Sequence, residues 1–139
     1  MKQGLLDTNI VLDLLAGRAP FYPDAAVLFS LADKKKVQFA VSSLSLVNTH
    51  YILAKFKSEM EARRILRVFK VLVKVLCLDD KIAELALNSD FRDLEDVIQY
   101  YTALENGQEL IVSRNLSGFR ISELPVKTAG EFIKSMRIN

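Results

Sequence analysis

Short runs of apolar residues alternate with longer stretches in which apolar positions recur every three or four residues. The first pattern is typical of buried strands and the second of helices packed on a core. The runs predict strands at 4–6, 37–41, 73–78, 109–113 and near 125–126. The amphipathic stretches predict helices at 9–15, 23–35, 44–56, 59–71, 80–87, 93–105 and 128–136, with Asn106-Gly107 closing the sixth. Because helices separate most of the strands, we expect an α/β protein, a three-layer α/β/α sandwich around a small parallel sheet of four or five strands.

The composition predicts one globular domain over residues 1–139. Half of the 139 residues are hydrophobic, three are prolines, and we find no repeat or low-complexity linker. The single cysteine, Cys77, lies in an apolar run, so we expect a small core residue rather than a disulfide or zinc ligand. The N-terminus lacks an uninterrupted apolar signal segment, and no uncharged run is long enough to span a membrane. We therefore expect a cytoplasmic protein with no membrane contact.

The net charge of +2 conceals an uneven distribution of charge along the chain. Between Lys55 and Lys74, seven basic residues stand against two acids, whereas between Asp79 and Glu109 nine acids stand against two bases. The basic block could follow a phosphate backbone, and the acidic block could hold a metal ion. Both could equally be solvated helix faces, which is the commoner origin of such blocks.

Polar residues follow three of the expected strands, at the edge where an open α/β sheet binds ligands. They are Asp7-Thr8-Asn9 after the first strand, Ser42-Ser43 after the second and Ser113-Arg114-Asn115 after the fourth. Asp96, on the first turns of the helix before the fourth strand, can point to the same edge. Converging carboxylates repel one another unless a cation lies between them, and such oxygen-rich sites suit Mg²⁺ or Mn²⁺. An ion of this kind can activate water and neutralise charge on a phosphate.

Each of these acids also has a purely structural interpretation. Asp7 could be the N-cap of the first helix. Asp93, Glu95 and Asp96 crowd the start of another helix, where negative charge is favourable beside the helix dipole. Asp13 could be an exposed polar residue on the first helix.

Three segments, in the right order and at the right spacing, resemble the signatures of PIN domains. Segment 5–15, LLDTNIVLDLL, is similar to the family's opening, and segment 90–100, DFRDLEDVIQY, to its central acidic helix start. Segment 111–115, IVSRN, followed by Phe119, resembles its signature after the fourth strand. The likeness covers nearly the whole chain and is closest to a bacterial toxin-type (VapC-like) subgroup. It implies a Mg²⁺- or Mn²⁺-dependent endoribonuclease acting on RNA, the toxin of a toxin–antitoxin pair, which forms a homodimer and is inhibited by a small antitoxin protein.

The same resemblance assigns roles to the polar residues at the sheet edge. It places the metal-holding carboxylates at Asp7 and Asp96, with Asp93 and Glu95 as auxiliary acids. The residues that would orient these ligands or contact the phosphate are Thr8, Asn9, Ser113 and Arg114.

The sequence departs from the family pattern at three positions. Asn48 and Asn115 stand where many PIN enzymes carry acids, and Gly118 stands where the subgroup often has an aspartate. We keep Asn48 as a substrate-binding candidate and Asn115 as a catalytic one, although neutral amides attract a divalent ion less than carboxylates do. The alternative function is therefore a weakly active or inactive PIN-like module that binds RNA or a partner protein.

Two further side chains have both a functional and a structural interpretation. His50, the only histidine, lies near Asn48 in sequence and could be a general base or a structural histidine on its helix. Tyr100 lies on the face of Asp93 and Asp96 and could stack on an RNA base, whereas Tyr101 is in step with core positions.

Overall fold

The computed structural model describes residues 1–138. The strands are β1 (Lys2–Leu6), β2 (Val37–Ser42), β3 (Lys74–Leu76), β4 (Leu110–Val112) and β5 (Val126–Lys127). The α-helices are α1 (Thr8–Leu15), α2 (Tyr22–Asp33), α3 (Ser43–Phe56), α4 (Glu59–Phe69), α5 (Asp80–Leu87), α6 (Leu94–Glu105) and α7 (Ala129–Ile138). A short 3₁₀ helix, Leu116–Phe119, lies between β4 and β5.

The five strands form one parallel sheet in the order β3-β2-β1-β4-β5. The chain adds β2 and then β3 on one side of β1, and it then returns to add β4 and β5 on the other side. The direction of winding therefore reverses between β1 and β4. Leu6 pairs with Val112 in the register of these two strands, and the peptide N–H of Asp7 donates to the Val112 carbonyl at 2.9 Å. The residues that follow β1 and β4 therefore meet at the point where such sheets bind ligands.

Alternate residues of the central strands face opposite helix layers, as strand geometry requires. Leu6 and Val112 join the larger core beneath α1, α2, α3, α4 and α7. Leu5 and Ile111, their neighbours in the chain, join a smaller core with residues of α6 and Phe119. Because both faces of the sheet are covered, the central stretches of its inner strands, Leu5-Leu6, 39–41 and Leu110–Val112, are apolar. The predicted three-layer sandwich is confirmed.

The strands and α-helices predicted from the sequence are all present, with changes at their ends. The third and fourth strands are shorter than the apolar runs, because pairing covers only three residues of each. The 3₁₀ helix was not predicted, since its sequence has no helical period. Gly107 has φ +67° and closes α6 in the left-handed conformation expected of it.

Three side chains lie in surroundings that contradict the sequence interpretation. Cys77 is exposed, because β3 ends at Leu76 and the chain has left the sheet. Asp13, for which an exposed position was one possible interpretation, is only 1% exposed. Tyr100, a candidate for base stacking, is buried in the smaller core and stacks on Phe91 with ring centroids 5.1 Å apart. No helix among the described residues is both long and apolar enough to cross a membrane.

Candidate active site

Asp7 lies where β1 ends and α1 begins, and it is 5% exposed. Its backbone is extended, and its Oδ1 accepts the peptide N–H of Thr8 at 2.9 Å, so it is indeed the N-cap of α1. Its Oδ2 accepts a 2.7 Å hydrogen bond from the Ser113 hydroxyl, at the end of β4. The cap is therefore compatible with a place in the site, because capping and the bond from Ser113 together fix the carboxylate at the sheet edge.

The start of α6 brings further acids to the same edge. Asp93 is the N-cap, and its Oδ1 accepts the peptide N–H of Asp96 at 3.0 Å. Glu95 accepts hydrogen bonds from the Asn48 amide at 3.3 Å and from the Thr8 hydroxyl at 3.2 Å. Three elements, α1, α3 and α6, are thus joined around one carboxylate.

These residues line an open cleft of about 610 Å³ at the carboxyl edge of the sheet. Of the site residues predicted from the sequence, those that line it are Asp7, Thr8, Asn9, Asn48, Asp93, Glu95, Asp96, Arg114 and Asn115. The tenth, Ser113, is fully buried beneath the cleft, where it orients Asp7 rather than reaching a substrate.

The carboxylates of this cleft destabilise one another. Burial, together with repulsion from Asp7, Asp93 and Glu95, raises the pKa of Asp96 to about 6. Burial also raises the pKa of Asp7, although the hydrogen bonds from Ser113 and the Thr8 peptide oppose the rise. A cation placed between the two carboxylates would offset both the energetic cost of burying their charge and their mutual repulsion.

Two buried residues of the site were missed by the sequence interpretation. The Gln99 amide donates to the Ser45 hydroxyl at 2.6 Å and to the Thr8 hydroxyl at 3.3 Å, and it also lies 3.4 Å from Asp7 Oδ1. Gln99 and Ser45 are 0% and 1% exposed. A signal was present for Gln99, because it lies three and four residues after Asp96 and Glu95, on the same helix face. Ser45 lies between Leu44 and Leu46 and carries no comparable signal.

Other expected candidates serve the fold instead of the cleft. Ser42 caps α3 by accepting the Ser45 peptide N–H at 3.0 Å, and Ser43 accepts the Leu78 peptide N–H at 3.0 Å. His50 turns towards α4, with Nε2 2.9 Å from Glu59 Oε2, and does not line the cleft. Of its two interpretations, the structural one fits this position.

The positive charge at the cleft comes from arginines outside the basic block. Arg18 and Arg114 line the cleft, and both donate to the buried carboxylate of Asp13. Arg63 and Arg64 instead form ion pairs with glutamates of their own helix, α4, and are absent from the cleft lining. For these residues the basic block is a solvated helix face.

The acids at this edge do not all converge on one point. Within residues 1–138, no three His, Cys, Asp or Glu side chains are placed to hold a metal ion together. Asp7 and Asp96 would therefore be supplemented by neutral groups such as Asn115, whose amide donates to Asp96 Oδ2 at 3.2 Å. Two buried carboxylates with raised pKa values fit a hard divalent cation, held with modest affinity.

Comparison with known proteins agrees with this geometry. The sequence matches the PIN domain family over residues 4–117. It is 24% identical over 131 residues to Ribonuclease VapC1 of Aquifex aeolicus (strain VF5), covering 91% of this chain and 90% of that protein. The fold matches a chain of a toxin-antitoxin complex from Klebsiella pneumoniae with a TM-score of 0.66 and 26% identity, covering 91% and 97% of the two chains. It matches a chain of DNA-bound VapBC from Salmonella typhimurium with a TM-score of 0.70 and 20% identity, covering 93% and 99%. The chain therefore belongs to the PIN domain family and is similar to its VapC-type members.

Proposed function

We propose that this protein is a Mg²⁺- or Mn²⁺-dependent endoribonuclease, the toxin of a toxin–antitoxin pair. The observation that carries the proposal is the convergence of Asp7, Glu95 and Asp96 in one open cleft at the strand-order reversal. The names of the similar proteins support the reaction class, since one is a ribonuclease and another is part of a toxin–antitoxin complex.

Asp7 and Asp96 would hold the metal ion, with Asp93 and Glu95 beside them. When bound, the ion neutralises charge on the phosphate and makes a water molecule more nucleophilic. This pairing of two carboxylates supplies the oxygen ligands that Mg²⁺ and Mn²⁺ prefer. We assign no ligand role to His50, because it faces α4.

The remaining residues of the cleft hold these acids in place. Ser113 orients Asp7 through its 2.7 Å hydrogen bond, and Asn115 orients Asp96 through its 3.2 Å hydrogen bond. Asn48 and Thr8 together direct Glu95. Such supporting hydrogen bonds fix the rotamers of metal-holding side chains before the ion arrives.

The second candidate function is a PIN-like module that binds RNA or a partner protein without cleaving. The observation in its favour is that Asn48 and Asn115 place neutral amides against Glu95 and Asp96, at positions where many PIN enzymes carry acids. Lower negative charge weakens the attraction for a divalent ion.

A cleavage assay separates the two functions. Purified protein is incubated with a labelled single-stranded RNA in Mn²⁺, in Mg²⁺ or in EDTA, and the products are resolved on a gel. We expect metal-dependent cleavage by the wild type and by Glu84→Gln, which removes an exposed acid on α5. Asp96→Asn should lose cleavage while keeping its fold. Binding of RNA without cleavage in either metal would favour the second candidate.

The partners implied by the family resemblance form a separate part of the proposal. We propose a homodimer and a small antitoxin protein that inhibits it. Light scattering of the purified protein measures its mass in solution, and the mass of a single chain would contradict the homodimer. Co-purification with the product of a short neighbouring reading frame, together with inhibition of cleavage by that product, tests the second.

A further inference from the structure

We propose that Arg18 and Arg114, held by the buried carboxylate of Asp13, form a phosphate-binding rim of the cleft. The inference rests on the proposed function and names where the RNA backbone is held. Arg114 was a candidate from the sequence, whereas Arg18 and Asp13 are assigned from the structure alone.

One carboxylate orients both guanidinium groups. Asp13 Oδ2 accepts from Arg114 Nε at 2.8 Å, and its Oδ1 accepts from Arg114 Nη2 at 3.1 Å and from Arg18 Nε at 3.2 Å. Because the two arginines share Oδ1, their guanidinium groups lie next to each other. Asp13 is 1% exposed, while the arginine side chains are 32% and 41% exposed, so the acid lies below and the cations reach solvent.

Further contacts restrict the directions in which these cations point. Arg18 Nη2 donates to the Asn9 carbonyl at 3.3 Å, and its peptide N–H donates to the Asp13 carbonyl at 3.1 Å. The Arg114 guanidinium lies over the Phe21 ring, 3.9 Å from the centroid. A guanidinium held before a ligand arrives loses less entropy on binding.

The group has donors and charge left for an anion. Each arginine carries five N–H donors and uses only Nε and Nη2 in the contacts above. Within residues 1–138, Nη1 of Arg18 and Nη1 of Arg114 have no hydrogen-bond partner. Two guanidinium groups and one carboxylate leave a net charge of +1 at the rim of a cleft whose acids are Asp7, Asp93, Glu95 and Asp96. A phosphate suits this arrangement, because its oxygens accept paired guanidinium donors.

A purely structural role is the alternative for these ion pairs. The Asp13–Arg114 pair ties α1 to the loop after β4, and a buried acid needs such partners wherever it occurs. That role predicts a lower melting temperature on mutation with unchanged RNA affinity. That role does not require Arg18, since Arg114 alone pairs with both oxygens of Asp13.

The test is RNA binding measured by fluorescence anisotropy in EDTA, with a labelled single-stranded RNA at several salt concentrations. The variants are Arg18→Gln, Arg114→Gln and Asp13→Asn. The matched control is Arg63→Gln, which removes an exposed arginine paired with a glutamate on α4. We expect each cleft arginine variant to weaken binding on the order of tenfold and to lower the slope of log Kd against log salt by about 0.7. The control should change Kd less than about twofold.

Asp13→Asn gives the sharpest contrast. Net charge alone predicts tighter RNA binding, because the variant loses a negative charge. If Asp13 positions the arginines, binding should instead weaken, because both arginines lose their anchor. We expect a loss of about twofold to tenfold from the lost preorganisation. Circular dichroism checks the fold; if this variant does not fold, Arg18→Gln decides, because it leaves the Asp13–Arg114 pair intact.

Several outcomes overturn the inference, and they can be told apart from failure of the proposed function. If Arg18→Gln binds RNA with wild-type affinity, Arg18 is not part of the rim. If Asp13→Asn binds RNA more tightly than the wild type, Asp13 does not position the arginines. If these variants also cleave RNA in Mn²⁺ as the wild type does, the ribonuclease proposal stands and the phosphate rim alone is wrong. A wild type that neither binds nor cleaves RNA refutes both.

Discussion

Replacing Asp96 with asparagine should stabilise the metal-free fold while abolishing cleavage. Asp96 is 8% exposed, and its pKa of about 6 in the folded protein compares with an ordinary value of 3.8. The folded state therefore holds the proton more tightly than the unfolded state does. At neutral pH the ionised carboxylate opposes folding, and this effect is complete above pH 6 and lost as the pH falls towards 3.8.

The size of the gain follows from the difference between the two pKa values. The pKa of Asp96 rises from 3.8 to about 6, and each unit corresponds to about 1.36 kcal/mol. The ionised carboxylate therefore lowers the free energy of unfolding by about 3 kcal/mol. The carboxylate borders an open cleft, where water and salt screen it, so we expect about half of this value. Asparagine also forfeits part of the hydrogen bond from Asn115 and of the favourable charge near the start of α6. The net gain should be about 1 kcal/mol at pH 7.5, or a rise in melting temperature of about 2 to 4 °C.

Thermal unfolding in EDTA at pH 7.5 and pH 5.0 measures this gain. Asp96→Asn should melt above the wild type at pH 7.5, with the difference roughly halved at pH 5.0, because the wild-type carboxyl is then largely protonated in the folded state. Glu84→Gln, on α5, should melt like the wild type at both values. Millimolar Mn²⁺ should raise the melting temperature of the wild type and leave Asp96→Asn unchanged. A variant less stable than the wild type at pH 7.5, or a difference independent of pH, would refute the reasoning.

Three other substitutions probe the same cleft. Asn115→Asp puts a carboxylate against Asp96, so it should lower the melting temperature in EDTA and tighten Mn²⁺ binding several-fold by calorimetry; unchanged affinity would place Asn115 away from the ion. Gly118→Ala adds a Cβ that would collide with the ends of Asp96 and Asn115, so cleavage should fall on the order of tenfold while the melting temperature changes little. Ser113→Ala removes the hydrogen bond to Asp7 and should cost about 1 to 3 kcal/mol in denaturant unfolding; no loss would mean that water replaces the hydroxyl.

The order of strands and helices could be read from local patterns, because periodicity and turn residues act over a few neighbouring positions. The alternation of apolar runs and amphipathic stretches predicted the sandwich, and Gly107 ended α6 where its sequence indicated. The grouping of Asp7 with Asp96 could also be anticipated, since Asp7 follows β1 and the helix that leads into β4 begins near Asp96, at the same edge of the sheet. The family resemblance from three segments is confirmed by the match over residues 4–117.

Tertiary packing decided which of two possible roles each polar residue has. No local pattern shows that Asp13 is buried beneath two arginines, or that Tyr100 fills the smaller core, because burial depends on elements far away in sequence. Gln99 and Ser45 contact across 54 positions, so their hydrogen bond is visible only once α3 and α6 are packed. The cleft shows the same division. Its acids are encoded at helix starts, but their raised pKa values arise from burial and mutual repulsion, which exist only when distant parts of the chain meet.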